Sequence, residues 1–112
     1  MDSQESPITI FLPRVVEGAR FAADKMQKLD CAVLGGLLLG LNCFEPGQGQ
    51  AVHTHEGADK FYLVLEGKAR MRVGQDEADA GPGTLVWAPA GVPHGVLSAV
   101  ERCVMLVGMS LG

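Results

Sequence analysis

Three histidines are the residues of this chain best placed by type and spacing to do chemistry. Two fall together as His53-Thr54-His55, and the third, His94, follows the turn-rich run Pro89-Ala90-Gly91-Val92-Pro93. A neutral imidazole offers one lone pair, and several such rings together suit a first-row transition metal. If the chain from Ala51 is a strand, side chains two apart share a face. Their Cα atoms are then roughly 6.6 Å apart, close enough for both rings to converge on one ion. The competing reading makes the histidines ordinary polar residues on an exposed strand face.

Length and composition narrow the rest. A chain of 112 residues with 47% hydrophobic side chains is expected to fold as one domain, 1–112, with residues 1–6 as a polar terminus. Nine basic against thirteen acidic side chains give a formal charge of −4. No Lys/Arg cluster is present, so a nucleic-acid partner is not expected. The opening MDSQESPITI carries two acids and no positive region, so no secretory leader is expected there. The most apolar run, Cys31 to Phe44, is too short and glycine-broken to span a bilayer. Cys31, Cys43 and Cys103 lie among aliphatics and form no CxxC pair, as reduced, buried thiols do. A cytoplasmic protein acting on a small-molecule ligand is the expectation.

The elements that must position the histidines read as strands. Ile8, Ile10 and Leu12 alternate up to Pro13 and predict a short edge strand. Residues 14–29 read as strand or loop, with a helical turn or two over Phe21–Met26. From Cys31 to Phe44 apolar residues fill both parities, so both faces should be covered, and Gly35-Gly36 marks a bulge or sharp bend. Strands are expected at 50–55, 60–66 and 68–73, the last two joined by a tight hairpin at Glu66-Gly67-Lys68. Residues 74–80 read as a second polar hairpin, and 84–88, 95–100 and 102–109 as further strands. Eight or more short strands at intervals of about ten residues predict an all-β barrel or sandwich. Gln50 shares no face with His53 in a regular strand and is set aside.

The spacing of these residues resembles that of the cupins. Gly47, five residues, His53-Thr54-His55 and the closing Gly67 follow the first cupin motif. Gly83, five residues, Pro89-Ala90-Gly91, two residues and His94 follow the second, with Ser98 where asparagine is usual. The resemblance implies a double-stranded β-helix, or jelly-roll barrel. It also implies one divalent metal in the barrel mouth, held by the two histidines of the first motif, a glutamate, and the histidine of the second. By position the histidines are His53, His55 and His94, but the glutamate slot, separated from Gly67 by six residues, holds Lys60. A protonated lysine cannot ligate and repels a cation. Three outcomes follow: a three-histidine site for iron, nickel, zinc, copper or manganese; Asp59 supplying the carboxylate through a bulge at Gly57; or a cavity that binds a small molecule without metal.

If Lys60 points inward, Tyr62 and Val64 do too, and Lys60 and Tyr62 become the candidate substrate-binding residues, with Tyr62 otherwise a plain core aromatic. Trp87 reads as core, or as lining the pocket. On the other face of that strand, Phe61, Leu63 and Leu65 predict a covered surface. A homodimer is expected there, the alternative cover being the chain's own N-terminal strand. Two functional readings follow. One is a metal-dependent dioxygenase, isomerase or decarboxylase acting on a small polar or anionic molecule. The other is a non-catalytic small-molecule or sugar-binding module.

Overall fold

The computed structural model describes residues 11–111. Ile8, Ile10 and the polar terminus lie outside the described residues. Among those described, a short 3-10 turn, Val15–Gly18, precedes nine strands: β1 (Gln27–Leu34), β2 (Leu37–Phe44), β3 (Gln50–His53), β4 (Lys60–Glu66), β5 (Ala69–Val73), β6 (Asp76–Ala80), β7 (Leu85–Ala88), β8 (His94–Ala99) and β9 (Cys103–Ser110). They form two antiparallel sheets, a five-stranded one ordered β1-β2-β9-β4-β7 and a four-stranded one ordered β3-β8-β5-β6. The all-β jelly-roll architecture expected from the sequence is present. No helix among the described residues is long and apolar enough to cross a membrane.

The core follows from strand alternation. On β4, Lys60, Tyr62 and Val64 point inward and are buried, while Phe61, Leu63 and Leu65 between them are half-buried on the outer face. The inward residues meet Met105 and Val107 of β9, Phe44 of β2, and Met71 and Val96 of the opposite sheet. A second cluster lies outside the five-stranded sheet, where Val15, Val16 and Phe21 cover Leu41, Cys43, Leu65 and Val104. Arg102 fastens this cover: its guanidinium stacks 4.2 Å from the Phe21 ring and donates to both Glu45 carboxylate oxygens at 2.9 and 2.8 Å. Cys43 and Cys103 are buried free thiols, and burial pushes Cys103 up to about 11.

Several local expectations are corrected. Gly35-Gly36 takes the second of its two expected forms, a sharp bend, as a two-residue hairpin turn joining β1 to β2 with Leu34 paired to Leu37, while the register irregularity falls between Asp30 and Ala32. Residues 76–80 form a strand of their own, an edge paired with β5, across which Arg70 meets Asp79 directly and Glu77 diagonally. Glu66-Gly67-Lys68 does not make a hairpin, since β4 and β5 belong to different sheets. Leu65 is covered from within the chain by the 3-10 turn. Trp87 neither joins the core nor lines the pocket. The register pairs Tyr62 with Val86 and Lys60 with Ala88, which sends Trp87 outward beside Phe61 and Leu85 beside Leu63. Trp87 and Leu85 are 55% and 63% exposed.

Gly67 makes the sheet-to-sheet crossing. Its φ is +79°, and a Cβ there would collide with the Arg102 carbonyl and the Cys103 Cα. Gly83 has a similar φ, +87°, but open space around it. Gly67→Ala is therefore expected to destabilise the fold by about 3 kcal/mol or more, and Gly83→Ala by about 1–2 kcal/mol. Equal losses in denaturant titration would show that the close approach at Gly67 is not what matters.

Candidate metal centre

The site is built where β3 and β8 begin to pair. His53, the last residue of β3, lies directly opposite His94, the first of β8. The expected strand over 50–55 stops at His53, so His55 reaches the same place from the following loop rather than from strand alternation. Two tethers hold that loop to the one preceding His94. Gly91 N–H donates to the His55 carbonyl at 2.9 Å, and Ala90 N–H donates to Asp59 Oδ1 at 2.8 Å. Asp59 is thus engaged as a loop staple, and the group of potential ligands among the described residues is His53, His55 and His94 alone.

The three rings share one point. Their centroids lie 4.7 Å (53–55), 4.6 Å (53–94) and 5.5 Å (55–94) apart. One nitrogen from each lies within 4.8 Å of the others, a looser bound than the roughly 4 Å expected around a common ion. His53 Nδ1 faces the Ala51 carbonyl at 2.8 Å, and His94 Nδ1 faces that of Val92 at 2.9 Å. A carbonyl acceptor selects the Nδ1–H tautomer, which leaves Nε2 of each ring with its lone pair turned to the site. His94 is 1% exposed, and its Nε2 has no hydrogen-bond partner. His53 Nε2 and His55 Nε2 lie 3.0 Å apart, close to the separation of two ligands at right angles with bonds of about 2.1 Å. Burial first, then the charge of Lys60 and the other rings, lowers the His55 pKa. Burial, with His53 and Lys60, lowers that of His94 against the opposing effect of its Val92 bond. Neutral rings with an orphaned inward nitrogen fit a divalent transition metal.

Lys60 is inside, as the motif register predicts, and only 4% exposed. Its Nζ lies 4.9 Å from the centroid of the Tyr62 ring, a cation–π contact that replaces part of the lost hydration. Tyr62 is fully buried, its ring 6.2 Å from that of His94. Its hydroxyl donates to Gln50 Oε1 at 3.3 Å, and burial pushes its pKa well up, keeping it protonated. Gln50 thus reaches the interior with His53, contrary to the sequence reading, because the β3 register shifts between them. Gly95 offers a hint of this bulge: a Cβ there would lie 2.8 Å from Gln50 O and 2.9 Å from Val52 N. Two further residues not foreseen, Lys28 and Asn42, share a cavity with Lys60 and His55.

Burial, helped by the charge of Lys28, pulls the Lys60 pKa down to about 8. In the unfolded chain it returns to about 10.4. Between those values the unfolded state holds more protons, so stability rises with pH across that window, and the penalty is fully present below pH 8. Lys60→Met is expected to stabilise the metal-free protein by about 2–3 kcal/mol at pH 7, the advantage shrinking as pH rises from 8 towards 10.5. Thermal melts across that range check this; a constant difference would contradict it.

Comparison with known proteins identifies the family. A family model described as cupin domain matches residues 40–108, a span containing all three histidines and Lys60. A search of curated proteins found no match. Among solved structures, the chain is similar to TT1209 from Thermus thermophilus, at 39% identity over 89% of this chain and 96% of that one, with a TM-score of 0.83. It is also similar to an RmlC-like cupin protein from Desulfovibrio desulfuricans, at 25% identity over 91% and 97%, with a TM-score of 0.81. A cupin superfamily protein from Desulfitobacterium hafniense, 21% identical over 95% and 94% with a TM-score of 0.77, shares the fold. The chain belongs to the cupin family.

Proposed function

We propose that this cupin binds one divalent transition metal through His53, His55 and His94 and acts there on a small polar or anionic molecule. The observation that carries the reading is the buried, unpartnered Nε2 of His94, held beside two further imidazoles. An unmatched buried nitrogen costs about 1–3 kcal/mol, and a ligand bond would offset that. When bound, the metal supplies Lewis acidity or, as iron, a means of activating dioxygen. The chain's own residues do the rest. Lys60 holds an anionic group and, with its pKa near 8, can exchange a proton at Nζ close to neutral pH. Tyr62, kept neutral and fixed by Gln50, lies outside the cavity lining and backs the Lys60 ammonium with its ring, while Val107 and Met109 line the cavity with apolar surface. Dioxygenase, isomerase and decarboxylase chemistry all fall within this reading.

One observation favours a non-catalytic binding module instead: the Tyr62 hydroxyl is already engaged, and the single carboxylate lining the cavity among the described residues is the exposed Asp30. Metal analysis of the purified protein separates the two readings, redox-active iron favouring the dioxygenase. The free, buried thiols support a reducing, cytoplasmic setting. We also infer a homodimer, through the outer face formed by the Phe61–Trp87 and Leu63–Leu85 cross-strand pairs. Trp87→Glu is expected to shift it to monomer in sedimentation, and a monomeric wild type at micromolar concentration would overturn the inference.

Two substitutions test the centre. His94→Ala is expected to weaken divalent metal binding by about a hundredfold or more, as loss of a direct ligand should exceed the 10–100-fold typical of outer-shell changes. Lys60→Glu removes a positive charge beside the ion and restores a carboxylate, and is expected to tighten metal binding by about tenfold or more. Metal affinity unchanged by His94→Ala would overturn the three-histidine reading.

A further inference from the structure

We propose that the cavity beside the three histidines is an anion site, where a small carboxylate and a metal on His53, His55 and His94 strengthen each other's binding. The inference rests on the metal reading above and specifies the molecule that joins the metal.

The inner face of the five-stranded sheet builds the cavity. Lys28 of β1 pairs across to Asn42 of β2, Lys60 of β4 pairs with Met109 of β9, and His55 closes the side towards the metal centre. Asn42 is 3% exposed, and its Nδ2 donor has no partner. Lys60 is equally buried, and among the described residues neither it nor Lys28 forms an ion pair. The one acid on the wall is Asp30, exposed and two residues from Lys28. Two buried donor groups, Lys60 Nζ and Asn42 Nδ2, therefore face the space, with the exposed Lys28 and Asp30 at its rim.

Three neutral imidazoles bring no charge to a dication, and Lys60 stands where the family carries a glutamate. A bound metal leaves the region strongly positive, with both the metal and Lys60 seeking an anion. A carboxylate accepting from Lys60 Nζ and Asn42 Nδ2 supplies that charge, and a second oxygen on the same molecule can complete the metal's open positions. Because coupling between two ligands is reciprocal, the anion tightens the metal as much as the metal tightens the anion. The cavity volume of about 80 Å³ compares with roughly 10–15 Å³ for one water on that measure. It takes a handful of heavy atoms, and Leu38, Val107 and Met109 give the carbon skeleton an apolar wall. The expected ligand is a short 2-hydroxy or 2-oxo acid.

The test is cobalt(II) affinity by calorimetry, with no addition, with saturating glycolate, and with glycolamide as the neutral isostere. Glycolate is expected to lower the wild-type Kd for cobalt at least tenfold, and glycolamide to leave it unchanged. Lys60→Met should bind cobalt alone at least as tightly as wild type while losing most of the glycolate effect. Asn42→Leu should reduce that effect several-fold. A wild type that binds cobalt but shows no glycolate effect overturns the anion site and leaves the metal reading standing, as does a full effect retained in Lys60→Met. If wild type and His94→Ala bind cobalt alike, the metal reading falls and this inference with it.

Discussion

Two hydrogen bonds from imidazole to backbone carbonyl fix the chemistry available to this barrel. His53 donates Nδ1–H to Ala51 and His94 donates to Val92, each to a carbonyl two residues before it. With one nitrogen so engaged, each ring keeps its second lone pair for the interior, and His94 keeps it where water does not reach. The rest of the fold serves that placement. The β3–β8 pairing sets His53 opposite His94, and the loop bond from Gly91 to the His55 carbonyl carries the third ring into range. The two packed sheets supply the low-dielectric wall that lowers the pKa of His55 and His94.

Lys60 works against the stability of the same structure. An ammonium at an inward position of β4, beside three imidazoles and a second lysine, is held by one aromatic face and by no carboxylate among the described residues. Folded proteins bury such a charge rarely, and usually paired. By the motif resemblance it stands where the cupin pattern carries an acidic ligand, so an ammonium occupies the place of a fixed protein anion. The missing negative charge can then come from a diffusing molecule, which links this residue's cost in stability to selectivity for what enters the cavity.

Much of this was legible in the chain itself. The glycine, proline and histidine spacings of the two motifs pointed to the barrel, the three histidines and the inward register of Lys60, because each depends on turn positions and strand parity. What escaped depends on departures from regular alternation or on pairing across the fold. Gln50 enters the interior because β3 is bulged, and counting by twos from His53 misses it. Lys28 and Asn42 become neighbours of Lys60 only through the β1–β2–β9–β4 order, since they are far from it in sequence. Trp87 turns outward by the β4–β7 register, which no property of its own segment fixes. The cover over Leu65 comes from a 3-10 turn whose residues carry no strong pattern.

The proposed centre holds a divalent metal on three imidazoles, with no carboxylate from the chain. X-ray absorption at the metal edge of the loaded protein tests it most directly, since imidazole rings leave a multiple-scattering signature that carboxylates and water do not. Three imidazoles are expected at about 2.0–2.1 Å, with the remaining positions filled by oxygen donors, and one imidazole fewer in His94→Ala. A shell of fewer than two imidazoles, or one containing sulfur from the cysteines, would contradict it.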